Sequence, residues 1–164
     1  MAPSGDVDTS RFIFGNKNGL QLSDGGDKFS LLCEEAKRVH VDHLGVAEPN
    51  IDDTWWETND VIHRTVKRTF HHVCVDTATS SIRTESCYKP GGTMSMAMGN
   101  IVGRILERGG DFLGRWSFIR YGGTGTRTVM VVSAYQVCVR PTNLHGTTAF
   151  HQQQAVFQHE RRAN

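Results

Sequence analysis

The sequence predicts an α/β domain, and three patterns in it predict that class. Near the N-terminus a strand-like run, a run with helical period and a second strand-like run follow one another. A second helical run comes next, and from residue 73 onward short β-rich runs alternate with glycine-rich turns. At 164 residues the chain is long enough for one domain with its own core and too short for two large ones. No repeat, Pro/Ser linker or low-complexity tract divides it, so one domain is the economical reading.

Residues 1–10, M-A-P-S-G-D-V-D-T-S, read as a disordered lead-in, and residues 11–164 as the domain. R-F-I-F at 11–14 is the first strand, closed by the turn G-N-K-N-G-L. From Asp27 to about His40, Phe29, Leu32, Cys33, Ala36 and Val39 recur at threes and fours and mark one face of a helix. His43 to Ala47 is a short apolar strand closing on Glu48, with Pro49 as its stop. Strand, helix, strand in this order implies a crossover and adjacent parallel strands. The second helix is expected from about Asp53 to Phe70, with Asp52 and Asp53 as N-terminal caps. Four strands are expected at 73–82, 92–104, 116–121 and 127–139, the last two joined by a hairpin at G-G-T-G-T. T-V-M-V-V-S-A-Y reads as a central strand, apolar on both faces. A final helix is expected over 147–161.

The formal charge of +1 hides an asymmetry: residues 1–60 hold 12 acids and 5 bases, residues 61–164 hold 5 acids and 13 bases. Arg outnumbers Lys 13 to 5, which suits fork-shaped recognition of phosphate and equally suits a solvated surface. Cys33, Cys74, Cys87 and Cys138 form no C-x-x-C pair, which excludes a zinc ribbon and reads as reduced, mostly buried thiols of an intracellular protein. There is no apolar run long enough to span a membrane and no hydrophobic region of a signal peptide.

Four polar positions, Asn16, Asn18, Glu48 and Tyr135, sit where strands end. Ligands of α/β sheets gather beyond the carboxyl ends of strands. A glutamate there suits a hard cation such as Mg²⁺, an asparagine can orient it, and a tyrosyl hydroxyl can donate to a phosphate. Taken singly, each of these residues is more often a turn residue or a surface group. G-G-T-G-T-R lacks the G-K-[ST] of a phosphate loop, His71, His72 and Cys74 have no partner cluster, and no G-x-S-x-G occurs.

Taken in order, N-K-N-G-L at Asn16–Leu20, A-E-P at Ala47–Pro49, P-G-G-T at 90–93, L-G-R-W-S at 113–117 and S-A-Y-Q-V at Ser133–Val137 resemble the N-terminal part of the endonuclease/exonuclease/phosphatase superfamily, in particular its exonuclease III-like, retroelement-type members. The tail A-F-H-Q-Q-Q is similar to the helix that follows the family's tyrosine. The resemblance covers about Phe12 to Arg161. It implies the N-terminal portion of a two-layer, DNase I-like β-sandwich flanked by helices, incomplete in this chain. It also implies Asn16, Asn18 and Tyr135 as catalytic positions, with Glu48 and Asn16 at a Mg²⁺ used in phosphoester hydrolysis.

The family's G-D-x-N and terminal S-D-H motifs do not occur, and no aspartate lies beyond Asp111. The resemblance therefore implies a partial Mg²⁺-dependent phosphodiesterase domain of very low activity, with a non-catalytic nucleic-acid-binding remnant as the alternative. By analogy it favours DNA over RNA. An incomplete sandwich would also expose a sheet edge for self-association.

Overall fold

The computed structural model describes residues 9–20, 22, 27–80 and 88–136, together with positions 154, 157, 158 and 161. Strand β1 (Phe12–Asn16), helix α1 (Asp27–Arg38) and strand β2 (His43–Ala47) form the expected crossover, with β1 and β2 parallel and Phe12 beside His43, Asn16 beside Ala47. Helix α1 forms because Phe29, Cys33 and Ala36 fall on one face and are buried, while Lys37 and Arg38 end it where the helix dipole favours cations. Helix α2 (Trp56–Thr69) buries Thr58, Ile62 and Val66 at spacings of four. Strands β3 (Val73–Ala78) and β4 (Thr93–Met98) complete a sheet of order β1-β2-β4-β3. After a 3-10 segment (Gly99–Arg104), β5 (Ile105–Gly110), β6 (Trp116–Gly122) and β7 (Thr128–Ala134) form an antiparallel three-stranded sheet. The β6–β7 hairpin closes at the expected glycines, with the Gly123 N–H donating to Arg127 O at 2.8 Å.

The strand period of two sorts the core into two compartments. Leu44, Val46, Met94, Met96 and Met98 cluster with Phe29, Cys33, Ile62 and Val66 of the helices. On the opposite face, Ala97 packs against Ile119, Tyr121 and Val131 of the second sheet. Each side chain of this size contributes about 1.5–3 kcal/mol on burial, so the helix-facing compartment dominates the energy. Between the sheets Ser95 Oγ lies 2.9 Å from both Ser117 Oγ and Ser133 Oγ. All three serines are buried, and their mutual bonds remove the cost of leaving hydroxyls unpaired in a core. Gly45 makes this approach feasible, because a Cβ there would run into the Phe14 ring and Ser133 Oγ.

Several expectations are corrected. Among the described residues the run T-V-M-V-V-S-A is the edge of its sheet rather than the centre: Val129, Met130 and Val132 are 51%, 54% and 46% exposed. The strand expected over 92–104 stops at Met98 and turns into the 3-10 segment, after which β5 appears where none was foreseen. Helix α2 begins at Trp56 with no side-chain cap, so Asp52 and Asp53 are not caps. Asp52 instead accepts from the Thr54 N–H at 3.1 Å and from Lys89 Nζ at 3.1 Å, while Asp53 accepts from Thr77 Oγ1 at 2.5 Å and from Thr79 Oγ1. Cys33 is a buried free thiol and Cys74 a half-buried one. Residues 1–8, 81–87 and 137–153, with Cys87 and Cys138, lie outside the described residues; of the expected last helix, 154, 157, 158 and 161 are described and helical. Among the described residues no helix is long and apolar enough to cross a membrane.

Candidate functional site

Parallel pairing of β1 and β2 brings their carboxyl ends side by side, and the two following turns are then sewn together. The N–H groups of Lys17, Gly19 and Leu20 donate to the carbonyls of Ala47 (3.1 Å), Glu48 (2.7 Å) and Pro49 (2.7 Å). Asn16 Oδ1 accepts from the Asn18 N–H at 2.9 Å, a side-chain-closed turn of the kind asparagine favours. From the other flank, the Glu48 and Asn50 N–H groups donate to Gly92 and Gly91 carbonyls at 3.1 Å each, and the Gly91 N–H returns a 2.6 Å bond to Asn50 Oδ1. Glu48 is thus clamped from both sides. It is held at φ 52, with Asn18 at 44 and Asn50 at 55. Asparagine tolerates this left-handed region; a glutamate pays for it, and more so ahead of a proline.

Beneath the clamp runs a buried ionic post. Lys89, 1% exposed, directs its Nζ to Asp52 Oδ1 at 3.1 Å and to the Ser80 carbonyl at 2.6 Å, and its own N–H donates to Asn50 O. A fully buried cation is stable only with such partners. Its partners lie on the segments that lead away from Glu48 and back toward Gly91, so it fixes the floor on which Glu48 stands.

Tyr135 follows β7, half-buried, with its N–H donating to Arg115 O at 2.7 Å. Strand β7 packs over β2 and β4, with Ser133 against Gly45 and Val131 toward Ala97. That stacking order makes β2 and β7 run in the same sense, so Tyr135 and Glu48 emerge at the same end of the sandwich. At this end Asp111 is buried; burial alone would raise its pKa, but the Arg115 side chain, with Nε at 2.5 Å, and the N–H groups of Leu113 and Arg115 bring the carboxyl below its ordinary value. Asn16, Asn18 and Glu48 therefore form one contiguous group, and Tyr135 shares their end of the fold.

In kind, the donors suit a hard cation: a carboxylate at Glu48 and an amide oxygen at Asn16, already shared with the Asn18 N–H. In number they fall short of a cage, and among the described residues no three His, Cys, Asp or Glu side chains are grouped to hold a metal. Such a set fits Mg²⁺ only where water and substrate phosphate supply most of its six ligands. A cavity of about 310 Å³, lined in part by Lys37, His40, Asp42, Met98 and Arg104, lies at the opposite end of β2 and takes no part in this group.

No protein-family profile matches the chain, and no curated protein matches it in sequence. Among solved structures, an endonuclease/exonuclease/phosphatase family protein from Leptotrichia buccalis C-1013-b superposes with a TM-score of 0.56 at 11% identity over 92% of this chain. The two share a fold. At this identity the likeness extends to the mixed α/β architecture, sheets flanked by helices, and to nothing finer. This chain spans 63% of the length of that structure.

Two ionic features escaped the sequence reading. Asp52 and Lys89 are 37 residues apart, and Asp53 lies 24 and 26 residues from Thr77 and Thr79. Nothing local couples residues at such separations, and the stretch S-I-R-T-E-S-C-Y-K-P-G-G around Lys89 is polar enough to leave a lysine solvated, so it carries no signal of burial.

Proposed function

We propose that this chain is a partial Mg²⁺-dependent phosphodiesterase domain of the endonuclease/exonuclease/phosphatase type, binding a nucleic-acid phosphate weakly and turning it over very slowly. The observation that carries this reading is the clamp on Glu48: a glutamate held at positive φ by bonds on both flanks, beside the Asn16–Gly19 turn. Strain of this sort persists where surrounding structure enforces it and concentrates at functional positions. Glu48 and Asn16 would hold the cation, which when bound supplies charge neutralisation at a phosphoryl oxygen. Asn18 and Tyr135 would orient the phosphate through donated hydrogen bonds. Neither residue can activate water at neutral pH, which is why turnover is expected to be slow.

The test is binding of a labelled DNA duplex as Mg²⁺ is raised, in the wild-type chain and Glu48→Gln, with nicking of supercoiled plasmid followed in parallel. Affinity that rises with Mg²⁺ and no longer responds to it in Glu48→Gln supports the proposal. Equal binding by both proteins with and without the metal overturns it. A non-catalytic nucleic-acid-binding remnant is the second reading, and it draws on the Arg-rich latter part. Arg64, Arg115 and Arg120 are engaged with Asp60, Asp111 and Glu107, which lowers the number of cations left for phosphate and weakens that reading. Self-association through an exposed edge would use β1, which with β3 is one of the two edge strands of the larger sheet among the described residues.

A further inference from the structure

The end of the fold opposite Glu48 holds the cavity of about 310 Å³. Its closed side is apolar: Val41, Met98 and Ile101 are buried, and Phe70 stands half-buried beside them. Its open side is lined by Lys37 from the last turn of α1, His40 from the turn that follows, and Arg104 from the end of the 3-10 segment. Backbone bonds hold these segments to one another. The Met98 N–H donates to Asp42 O at 2.8 Å, the Gly99 N–H to His72 O at 2.9 Å and the Val41 N–H to Ala36 O at 2.9 Å. The ends of α1, α2 and β4 and the start of β2 are thereby tied into one wall.

A cation in the last turn of a helix answers the helix dipole, and that accounts for Lys37 taken alone. It accounts neither for His40 nor for the convergence with Arg104. His40 sits at φ 53, its N–H donating to Lys37 O at 3.1 Å, in the left-handed position after a helix where glycine is the usual residue. A β-carbon there is strained, and strain of this kind collects where a side chain has a use. Among the described residues neither the Lys37 ammonium nor the His40 ring has a hydrogen-bond or ion-pair partner. Among the same residues one acid lines the cavity. Asp42 is half-buried and its Oδ2 accepts from the Arg11 N–H at 2.8 Å, which leaves Oδ1 to accept from a hydroxyl.

We propose that this cavity binds a nucleoside monophosphate, with the phosphate between Lys37, His40 and Arg104, the ribose against Asp42, and the base on Phe70, Met98 and Ile101. Three different demands meet in such a ligand: an anion for the donors, a hydroxyl for the carboxylate and a flat apolar body for the closed side. The fork of Arg104 and the point charge of Lys37 together suit a phosphate dianion. Inorganic phosphate would leave the apolar wall wet, and a nucleoside would leave the donors unanswered. The volume stands at the lower end of small-molecule sites, which run from roughly 300 to 1,000 Å³. The cavity lies apart from Glu48, so the proposal goes beyond the phosphodiesterase reading and does not rest on it.

Isothermal titration of the full chain in EDTA with AMP, ribose 5-phosphate and adenosine tests this, with ¹⁵N-edited spectra to place the ligand. AMP should bind saturably, about tenfold or more tighter than either of the other two, and shift the amides of residues 40–42 and 99–104. Lys37→Met and Arg104→Met should each weaken AMP about tenfold and leave adenosine unchanged. Arg64→Met removes an equal charge from the exposed face of α2 and should leave AMP binding as it was. Circular dichroism of each variant separates lost binding from lost fold. No saturable AMP binding by the folded wild-type chain overturns the proposal, as does AMP binding indifferent to both Lys37→Met and Arg104→Met. Ribose 5-phosphate bound as tightly as AMP would take the apolar wall out of the account, and adenosine bound as tightly would take out the cations; either result overturns it. So does AMP binding lost in Glu48→Gln, which would move the phosphate to the other end of the fold. Binding that appears only in the double variant Asp6→Asn with Asp8→Asn would give the donors to the chain's own N-terminal acids and overturn it equally.

Discussion

Replacing Glu48 by asparagine should make the protein more stable while removing the carboxylate on which its proposed chemistry depends. The φ of 52 costs a β-carbon-bearing residue about 1–2 kcal/mol, and asparagine is among the few side chains that visit this region readily. Relaxing the backbone is no escape for the glutamate. It would forfeit the bonds from the Glu48 N–H to Gly92 O and from the Gly19 N–H to Glu48 O, each worth about 1 kcal/mol net, so the strain is retained. Glu48→Asn should therefore gain about 1 kcal/mol, a rise in Tm of roughly 2–4 °C for a chain of this size. Glu48→Gln keeps the same backbone preference as glutamate and should change stability by less than about 0.5 kcal/mol. Urea and thermal unfolding followed by circular dichroism measure both variants, and both should lose the Mg²⁺-dependent part of DNA binding. A Glu48→Asn protein no more stable than Glu48→Gln would refute the reasoning, since the strain at residue 48 would then cost nothing. A stable variant that has lost its metal response would show fold stability traded for a poised ligand.

Three further outcomes test the framework. His43 is fully buried with Nδ1 2.7 Å from the Tyr121 hydroxyl, and burial pushes its pKa down to about 4. The unfolded chain binds that proton near pH 6.5 and the folded one does not, so up to about 3 kcal/mol of stability present above pH 6.5 should be lost as pH falls toward 4. The slope of urea-derived stability over that window should flatten in His43→Gln. Lys89→Met leaves the Asp52 carboxylate buried without its cation and should cost about 3–5 kcal/mol, whereas Lys89→Met with Asp52→Asn should recover a substantial part; a double variant as unstable as the single one would remove the ion pair from the account. Gly45→Ala forces a methyl into the Phe14 ring and Ser133 Oγ and should cost about 1–3 kcal/mol by chemical unfolding, despite being a small change.

The parts of the fold legible in the sequence are those set by local period. The crossover β1–α1–β2 follows from apolar spacing at Phe29, Cys33 and Ala36 between two short apolar runs, and a crossover of that kind makes parallel neighbours. The β6–β7 hairpin follows from its glycines. Strand β5 was missed because I-L-E-R-G-G has two adjacent charges and two glycines, and its residues are exposed or half-exposed; with little to bury it carries little alternation. The rank of β7 was misread because apolarity on both faces describes a central strand and equally an edge strand whose outward residues remain uncovered.

For the candidate site, the sequence by itself placed Asn16, Asn18, Glu48 and Tyr135 where strands end, since a polar residue closing an apolar run is a local feature, although the strand expected over 127–139 ran past Tyr135 and β7 stops at Ala134. The tertiary structure alone decided that the two turns share hydrogen bonds, that Glu48 sits at positive φ, and that Lys89 and Asp52 form a buried post below it. It also decided that β7 is stacked on β2 and β4 and that Phe12 of β1 reaches the second sheet by stacking on Tyr121. The physical reason is range. Side-chain period and turn chemistry act over a few residues and are written in order along the chain, whereas register, sheet offset and the pairing of buried charges are fixed only when segments tens of residues apart compete for the same space.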